Sequence, residues 1–308
     1  MNTIIFNIKK ILKPMVKSIS NKKIRNFIIY LHNKSNEYTY TSSILNHYSK
    51  LDLTKINQDK AQVIKFLKEN PFNLFPYEFI KKYNSQDVKI FIDEKTGLRY
   101  SLLDNKKIFF KRSSDHKEVK EIFNALALVQ DIESPHRYLT NDFNVSENDI
   151  VADIGAAEGD FALSIVDKVK KIYIFEADEE LIEALKATFE PWKEKVTIVN
   201  RYVSNKHEKL STTLDYFFEN NELPTFLKVD IEGAEYDLIL GAEKILSKNN
   251  NMKVIMATYH RYNDETILNN KLKKYGFDTE FSKGYMLSIW DGIIKEPYMR
   301  KALIRAKK

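Results

Sequence analysis

The stretch Val151-Ala152-Asp153-Ile154-Gly155-Ala156-Ala157-Glu158-Gly159-Asp160-Phe161 decides how this chain reads. An apolar strand runs into a turn that carries two glycines four residues apart, and a helix-like stretch follows from Phe161. Gly155 can take backbone torsions that a side chain would block, and Gly159 lets the next helix pack close to the strand. A second apolar strand, Lys171-Ile172-Tyr173-Ile174-Phe175, ends in Glu176, an acid placed where it can accept both hydroxyls of a ribose. Together these features read as a nucleoside-binding turn.

The spacing separates two cofactor classes. A dinucleotide fingerprint needs G-x-G-x-x-G so that backbone can approach a pyrophosphate, whereas this turn is G-x-x-x-G with Glu158 beside it. A diphosphate would meet carboxylates there, which disfavours a nicotinamide-dependent oxidoreductase. S-adenosyl-L-methionine has no phosphate and carries a sulfonium and an ammonium, so the acidic turn suits it better. On this reading Asp153, Gly155, Ala156, Ala157, Gly159, Glu176 and Ala177 bind the cofactor, with Glu176 on the ribose and Asp153 near the methionine end.

Outward from this turn, apolar strands at 150–154, 172–175, 196–199, 226–229 and 254–259 alternate with helical stretches, among them 179–189 and one from Tyr236. That order predicts an α/β domain with a mostly parallel sheet and helices on both faces. Residues 277–281 and 285–290, separated by Ser282-Lys283-Gly284, read as an antiparallel hairpin, and 302–308 as one more strand. Residues 1–84 read as helices broken at Pro14, around 33–36 and around 70–73. Strands at 88–93 and 98–102 flank Glu94-Lys95-Thr96-Gly97 in a hairpin, a third follows at 107–111, and a helix is expected over 116–130. An N-terminal accessory region, 1–112, thus precedes a catalytic domain, 113–308.

In open sheets of this kind ligands lie beyond the carboxyl ends of the strands. The fourth strand ends in Lys228-Val229-Asp230-Ile231-Glu232-Gly233-Ala234-Glu235. Lys228 and Asp230 share one strand face and, among buried neighbours, need partners or a ligand. Glu232 and Glu235 sit at a helix start, where an acid contributes roughly 0.3–1 kcal/mol, and that suffices to explain Glu235. The fifth strand ends in Tyr259-His260-Arg261, and an imidazole there is a candidate base. Asp230 and His260 are the catalytic candidates. His136 and Arg137, after Ser134-Pro135, join Lys228 and Glu232 as candidates for substrate contact.

Composition narrows the chemistry further. With no cysteine among 308 residues, disulfides, thiolate metal sites and a cysteine nucleophile are excluded, which fits a reducing, cytoplasmic setting. The net charge of +6 gathers in residues 1–36, which hold Lys9, Lys10, Lys13, Lys17, Lys22, Lys23, Arg25 and Lys34 and no acid. Ile4, Ile5, Ile8, Ile11, Leu12, Met15, Val16 and Ile19 give that region an apolar helical face, which either docks on the main domain or contacts an anionic membrane peripherally. It is too short to span a bilayer and lacks the small-residue cleavage site of a signal peptide. No nucleic-acid partner is expected. The abundance of Lys, Asn and Ile suits an AT-rich bacterial genome.

The pieces Asp153-Ile-Gly-Ala-Ala-Glu-Gly-Asp160, Phe175-Glu176, Thr213-Leu214-Asp215, Lys228 to Glu235 and Leu240-Gly241-Ala242 together resemble the FkbM family of S-adenosylmethionine-dependent methyltransferases. The resemblance covers about residues 149–246. It implies a class I, Rossmann-like methyltransferase fold with a mostly parallel seven-stranded sheet, and methyl transfer usually to a hydroxyl. Acceptors in the family are often sugars of surface glycans or polyketide-type metabolites. Two departures stand out: Ala177 follows Glu176 where the family often has proline, and residues 1–112 lie outside the family's core. The expected reaction is O-methylation of a small-molecule or glycan acceptor, with His260 or Asp230 accepting the hydroxyl proton. No metal ligand is assigned. The alternative to a base is a hard divalent ion such as magnesium, placed by Asp230 with Glu232 or Asp215. The non-enzyme alternative is a degenerate methyltransferase fold acting as a membrane or partner adaptor.

Overall fold

The computed structural model describes residues 22–51, 56–288 and 295–308, with side chains described from residue 36 onward. Two compact units are present, Met1–Pro76 and Tyr77–Lys308. The first holds α1 (Lys22–Ser49) and α2 (Gln58–Glu69). α2 buries Val63, Ile64, Phe66 and Leu67, and Asn57 caps its start by accepting from Lys60 N–H. The break expected at 33–36 does not occur, because α1 runs through it. Asn33-Lys34-Ser35-Asn36 contains neither proline nor glycine, and each of these residues costs less than about 0.7 kcal/mol in a helix. The basic apolar stretch at 4–19 and the far end of the expected hairpin at 289–290 lie outside the described residues.

The second unit begins with a small antiparallel sheet of β1 (Phe91–Ile92), β2 (Arg99–Leu103) and β3 (Lys106–Phe109), followed by α3 (His116–Val129). The main sheet is built from β4 (Ile150–Ile154), α4 (Asp160–Ile165), β5 (Lys171–Phe175), α5 (Glu179–Phe189) and β6 (Val196–Val199) on one side. A short pair, β7 (Tyr202–Val203) and β8 (Ser211–Thr212), and α6 (Leu214–Phe217) lead back to β9 (Phe226–Val229). Then come α7 (Glu235–Leu240), α8 (Glu243–Lys248), β10 (Lys253–Ala257), α9 (Asp264–Lys274), β11 (Asp278–Phe281), β12 (Met286–Leu287), β13 (Met299–Arg300) and β14 (Leu303–Lys307).

The main sheet has seven strands in the order β11-β14-β10-β9-β4-β5-β6. β4, β5, β6, β9 and β10 pair in parallel, while β14 runs antiparallel to both β10 and β11. β4 and β9 are buried at every position, as central strands covered by helices on both faces must be. The chain works outward from β4 to β6 and then returns past β4 to β9. The strand order therefore reverses between β4 and β9, and an open sheet leaves a crevice at such a reversal.

α5 shows how a sequence period becomes packing. Leu181, Ala184, Leu185, Thr188 and Phe189 recur at helical spacing and are all buried. The β1–β3 sheet packs on this helix through Leu98 and Phe109 against Ala184, and Phe109 N–H donates to Thr188 Oγ1 at 3.0 Å.

The hairpin expected at 277–290 is not formed. β11 pairs with β14, Thr279 opposite Ala306, and β12 pairs instead with β13. After β11 the chain leaves the sheet plane, since Tyr285 N–H is taken by the Tyr77 hydroxyl at 2.7 Å. The C-terminal strand, expected from its apolar run, fills the slot between β10 and β11.

Candidate active site

Gly155 follows the last residue of β4 with φ +73°. A Cβ built there would stand 2.0 Å from Asp230 O and 2.8 Å from Ile231 Cγ2, so the loops after β4 and β9 touch at a point only glycine allows. Gly159, at φ +82°, starts α4, and a Cβ on it would strike Leu185 Cδ2 at 2.8 Å. Ala157 is also left-handed, at φ +48°. Its N–H donates to Glu176 Oε2 at 2.9 Å, while Glu176 Oε1 accepts from Ala177 N–H at 2.7 Å and Asp178 N–H at 2.9 Å. The acid at the end of β5 is thus pinned by backbone from both loops. Ala156 is buried, its N–H directed to Phe175 O.

Asp153, expected near the methionine end of a cofactor, is fully buried in β4. Its Oδ1 lies 3.0 Å from Lys228 Nζ, and Nζ also donates to Gly155 O at 2.6 Å. Burial pushes the Asp153 carboxyl up, opposed by Lys228. Burial acts to lower the Lys228 pKa, yet Asp153, Asp230 and Asp160 around it hold the ammonium above its ordinary value. The pair braces the glycine turn from beneath, and both side chains are shut off from solvent.

Asp230 is the hub of the site. Oδ2 accepts from the Tyr138 hydroxyl at 2.8 Å and lies 3.3 Å from His136 Nε2, which also lies 3.3 Å from the Tyr259 hydroxyl. Oδ1 faces the Tyr259 hydroxyl and His260 Nε2, each at 3.4 Å. Burial by itself would raise this carboxyl, but the His136 hydrogen bond and the charges of His136, Lys228 and His260 outweigh it and hold Asp230 well below the usual carboxylate range. His260 is oriented from behind, with Nδ1 2.8 Å from Glu235 Oε1. Burial works against its protonation, yet Glu235, Asp230 and Glu232 prevail and raise the imidazole pKa.

Asp230, His260, His136 and Lys228 are therefore brought together, as candidates read from three separate stretches of chain. Glu232 is at the rim: its side chain is 93% exposed, its backbone is left-handed at φ +55°, and Oε2 stands 3.7 Å from His260 Nε2. Arg137 spends its guanidinium on the carbonyls of Gln130 and Leu139, which ties the 130–139 loop together. Asp215 caps α8 by accepting from Lys244 N–H and Ile245 N–H, so its carboxylate is committed away from Asp230. The Gly241 motif position is equally structural, since a Cβ there would lie 2.1 Å from Ser204 O.

Sequence reasoning passed over Glu235, Tyr138, Tyr259 and Asp160. Glu235 is fully buried and holds His260 and Ile231 N–H, so a helix-start explanation falls short of what it does. Its signal was the repeat of acids at 230, 232 and 235 after a buried strand. Tyr259 was visible as the neighbour of His260, whereas Tyr138 reaches Asp230 from 92 residues away and carried no local signal. Asp160, at the start of α4, is pushed up to about 7, mainly by burial and by the nearby Asp153 and Glu158, against the pull of Lys228.

The strand order with its one reversed strand, the glycine turn at the switch point and the acid closing β5 define a class I, Rossmann-like methyltransferase fold. Residues 198–279 match the family model of the methyltransferase FkbM domain. The FkbM resemblance carried by the motifs is thereby borne out over the half of the domain that contains Asp230, Glu235 and His260. Among solved structures, a methyltransferase FkbM from Methylobacillus flagellatus KT is 17% identical with a TM-score of 0.44, covering 63% of this chain and 56% of its own. The chain thus spans little more than half the length of that protein. A precorrin-6y C5,15-methyltransferase from Geobacter metallireducens GS-15 is 11% identical at a TM-score of 0.39, covering 64% of this chain and 92% of its own. A putative transferase, PH0793, from Pyrococcus horikoshii is 13% identical at a TM-score of 0.41, covering 69% and 72%. No curated protein matches the chain. Among the described residues, no helix is long and apolar enough to cross a membrane.

Proposed function

We propose that the chain is an S-adenosylmethionine-dependent O-methyltransferase acting on a hydroxyl of a sugar or surface-glycan precursor. The observation that carries this reading is the contact between the glycine turn and the Asp230 hub, which puts a proton-accepting cluster against the place a methyl donor would occupy. The residues fit the donor: the 155–159 turn follows a strand end at the switch point and carries only small side chains besides Glu158, and Glu176 offers a carboxylate at the adjacent strand end. When bound, S-adenosylmethionine supplies a methyl group already activated on a sulfonium.

The protein's own task is then positioning and proton handling. Holding an acceptor oxygen in line can lower a barrier by about 7–11 kcal/mol. With Glu235 Oε1 accepting the hydrogen bond of His260 Nδ1–H, Nε2 is the ring's acceptor on the Asp230 side. A proton taken from the hydroxyl by Nε2 then lies between Glu235 and Asp230, where two carboxylates stabilise the imidazolium. Tyr138 and His136 keep Asp230 in its ionised, oriented form. Gly155, Ala156, Ala157, Gly159, Glu176 and Ala177 are the residues that would hold the donor, and Asp153 with Lys228 would shape the turn from below.

The test is a panel of nucleotide-sugars with methyl-labelled S-adenosylmethionine, with donor affinity measured separately by calorimetry. His260→Ala should keep donor affinity and lose at least a hundredfold in turnover. Normal turnover in that variant removes the imidazole from the mechanism, and an absence of donor binding by the native protein removes the reading altogether.

A further inference from the structure

Next to His260 lies a cleft of about 630 Å³, walled by Tyr236 of α7, by Arg261 and Tyr262 after β10, and by Ile267, Lys271 and Lys274 of α9. That volume falls within the roughly 300–1,000 Å³ of small-molecule sites. Ile267, Lys271 and Lys274 are spaced at four and three along α9 and share one helix face, while Leu268 and Leu272 are buried on the other. A solvated lysine face would account for the two lysines on an open surface. Here aromatic rings turn the face into a concavity. Lys271 Nζ stands 5.4 Å from the centre of the Tyr236 ring, and Tyr262, 55% exposed, has the Arg300 guanidinium carbon 5.7 Å from its own.

Arg261 joins this cleft to the Asp230 hub. A Cβ on Gly233 would lie 3.2 Å from Arg261 Nε and 3.6 Å from His260 Cβ, so the arginine leans on the same turn as the imidazole. Its backbone is fixed on both sides, N–H donating to Asp264 Oδ2 and the carbonyl accepting from Arg300 Nη1. Its guanidinium is not. Among the described residues, the side chains of Arg261, Lys271 and Lys274 make no hydrogen bond and no ion pair. Asp264, the acid that lines the cleft, is buried and spends its carboxylate on Arg261 N–H. Three cations thus face one cavity with no carboxylate committed to them, an arrangement that draws an anion.

We propose that the cleft binds a diphosphate carried by the acceptor, with Arg261, Lys271 and Lys274 on its oxygens and Tyr262 against the group beyond it. A guanidinium presents a planar fork of donors that matches phosphate, and the two ammonium groups add point charges. A carboxylate would leave two of the three cations uncompensated, whereas a diphosphate carries charge on both phosphorus centres. Two carriers share this chemistry, a nucleoside and a lipid. The exposed ring of Tyr262 favours the nucleoside, since a base stacks on an aromatic face. Charge also sets the direction of binding. The carboxylates of Asp230, Glu232 and Glu235 gather around His260 and repel phosphate, so the diphosphate lies over α9 and the sugar hydroxyl points to Nε2. This inference rests on the methyl-transfer reading for the identity of the acceptor, but diphosphate binding is measurable without it.

The full chain is titrated by calorimetry with UDP, GDP, inorganic pyrophosphate and uridine, with no methyl donor present. One site is expected for the diphosphates, with uridine at least tenfold weaker and diphosphate affinity falling as salt rises. Arg261→Gln should weaken diphosphate binding at least tenfold, and the double variant Lys271→Ala with Lys274→Ala should do the same. Urea unfolding midpoints close to native in these surface variants report that the fold is intact. In turnover with a nucleotide-sugar acceptor, Arg261→Gln should raise KM and leave kcat nearly unchanged, as loss of uniform binding does. UDP or GDP binding at least tenfold tighter than pyrophosphate, with the difference lost in Tyr262→Ala, supports the nucleoside carrier. Equal affinities keep the diphosphate site and overturn the nucleoside in favour of a lipid. Failure of all three diphosphates to bind, or binding that Arg261→Gln and the double lysine variant leave unchanged, overturns the site, and methyl transfer then stands or falls by its own donor-binding test. Diphosphate binding by a protein that does not bind S-adenosylmethionine sinks the methyl-transfer reading while the cleft assignment holds.

Discussion

Replacing Lys228 by methionine isolates the energetics that hold the glycine turn at 155–159. Lys228 Nζ lies 3.0 Å from Asp153 Oδ1, and the two side chains are 4% and 0% exposed. Methionine keeps the volume but leaves Asp153 as a buried carboxylate with no compensating charge, a change that costs about 3–5 kcal/mol. At a urea m-value of about 2–3 kcal/mol/M, the unfolding midpoint should fall by about 1–2.5 M. The deficit should also depend on pH. Burial already raises the Asp153 carboxyl, and Lys228 is the main influence opposing that rise, so the variant's folded pKa climbs further. A carboxyl raised in the folded state contributes its full stability below the unfolded value of about 3.9 and loses it as pH rises through the folded pKa. The gap between Lys228→Met and the native protein should therefore be wider at pH 8 than at pH 5. Adding Asp153→Leu should recover most of the loss, since a buried pair exchanged whole for apolar residues is often neutral. A single-variant deficit below about 1 kcal/mol, or one equal at both pH values, would refute the assignment of Lys228 and Asp153 as a buried ion pair.

Three further outcomes are expected. Gly155→Ala forces a side chain into a left-handed position and against Asp230 O at 2.0 Å. It should destabilise by about 2–5 kcal/mol in urea unfolding and abolish donor binding. Glu176→Ala should weaken S-adenosylmethionine binding at least tenfold by calorimetry, and unchanged affinity would cancel the ribose assignment. Asp149 is buried, which raises its carboxyl, but Thr225, Ser146 and Lys253 outweigh burial and hold it low. A depressed carboxyl gives stability above its unfolded pKa and loses it as pH falls, so Thr225→Val should flatten the acid limb of stability between about pH 5 and pH 2.

What was legible in the chain was what short-range chemistry writes there. Gly155 and Gly159 had to be glycine because both sit at positive φ against neighbours that leave no room for a Cβ, and that demand shows as residue identity. The buried runs of β4, β5 and β9 and the helical period of α5 showed as hydrophobic pattern, so the parallel α/β architecture followed from order alone. His260 and Asp230 were legible because strand ends in such a sheet are where ligands lie.

The tertiary structure decided matters that depend on which distant segments meet. β11 pairs with β14 rather than with the nearer 285–290 segment, because the C-terminal strand competes for the same edge and Tyr77 holds Tyr285 away. Tyr138 becomes a partner of Asp230 only when the 130–139 loop folds over β9, and no local spacing announces a contact across 92 residues. Glu235 and Glu232 are alike on paper, two acids three residues apart. Folding buries one behind His260 and leaves the other in solvent, because the left-handed step at Glu232 and Gly233 turns the chain between them. Sequence alone determined that a mostly parallel α/β sheet exists and where its glycine turn lies. Only the packing of β9 against β4 decided which of the charged residues near that turn are structural braces and which face the site, since burial and pairing are properties of the assembled crevice.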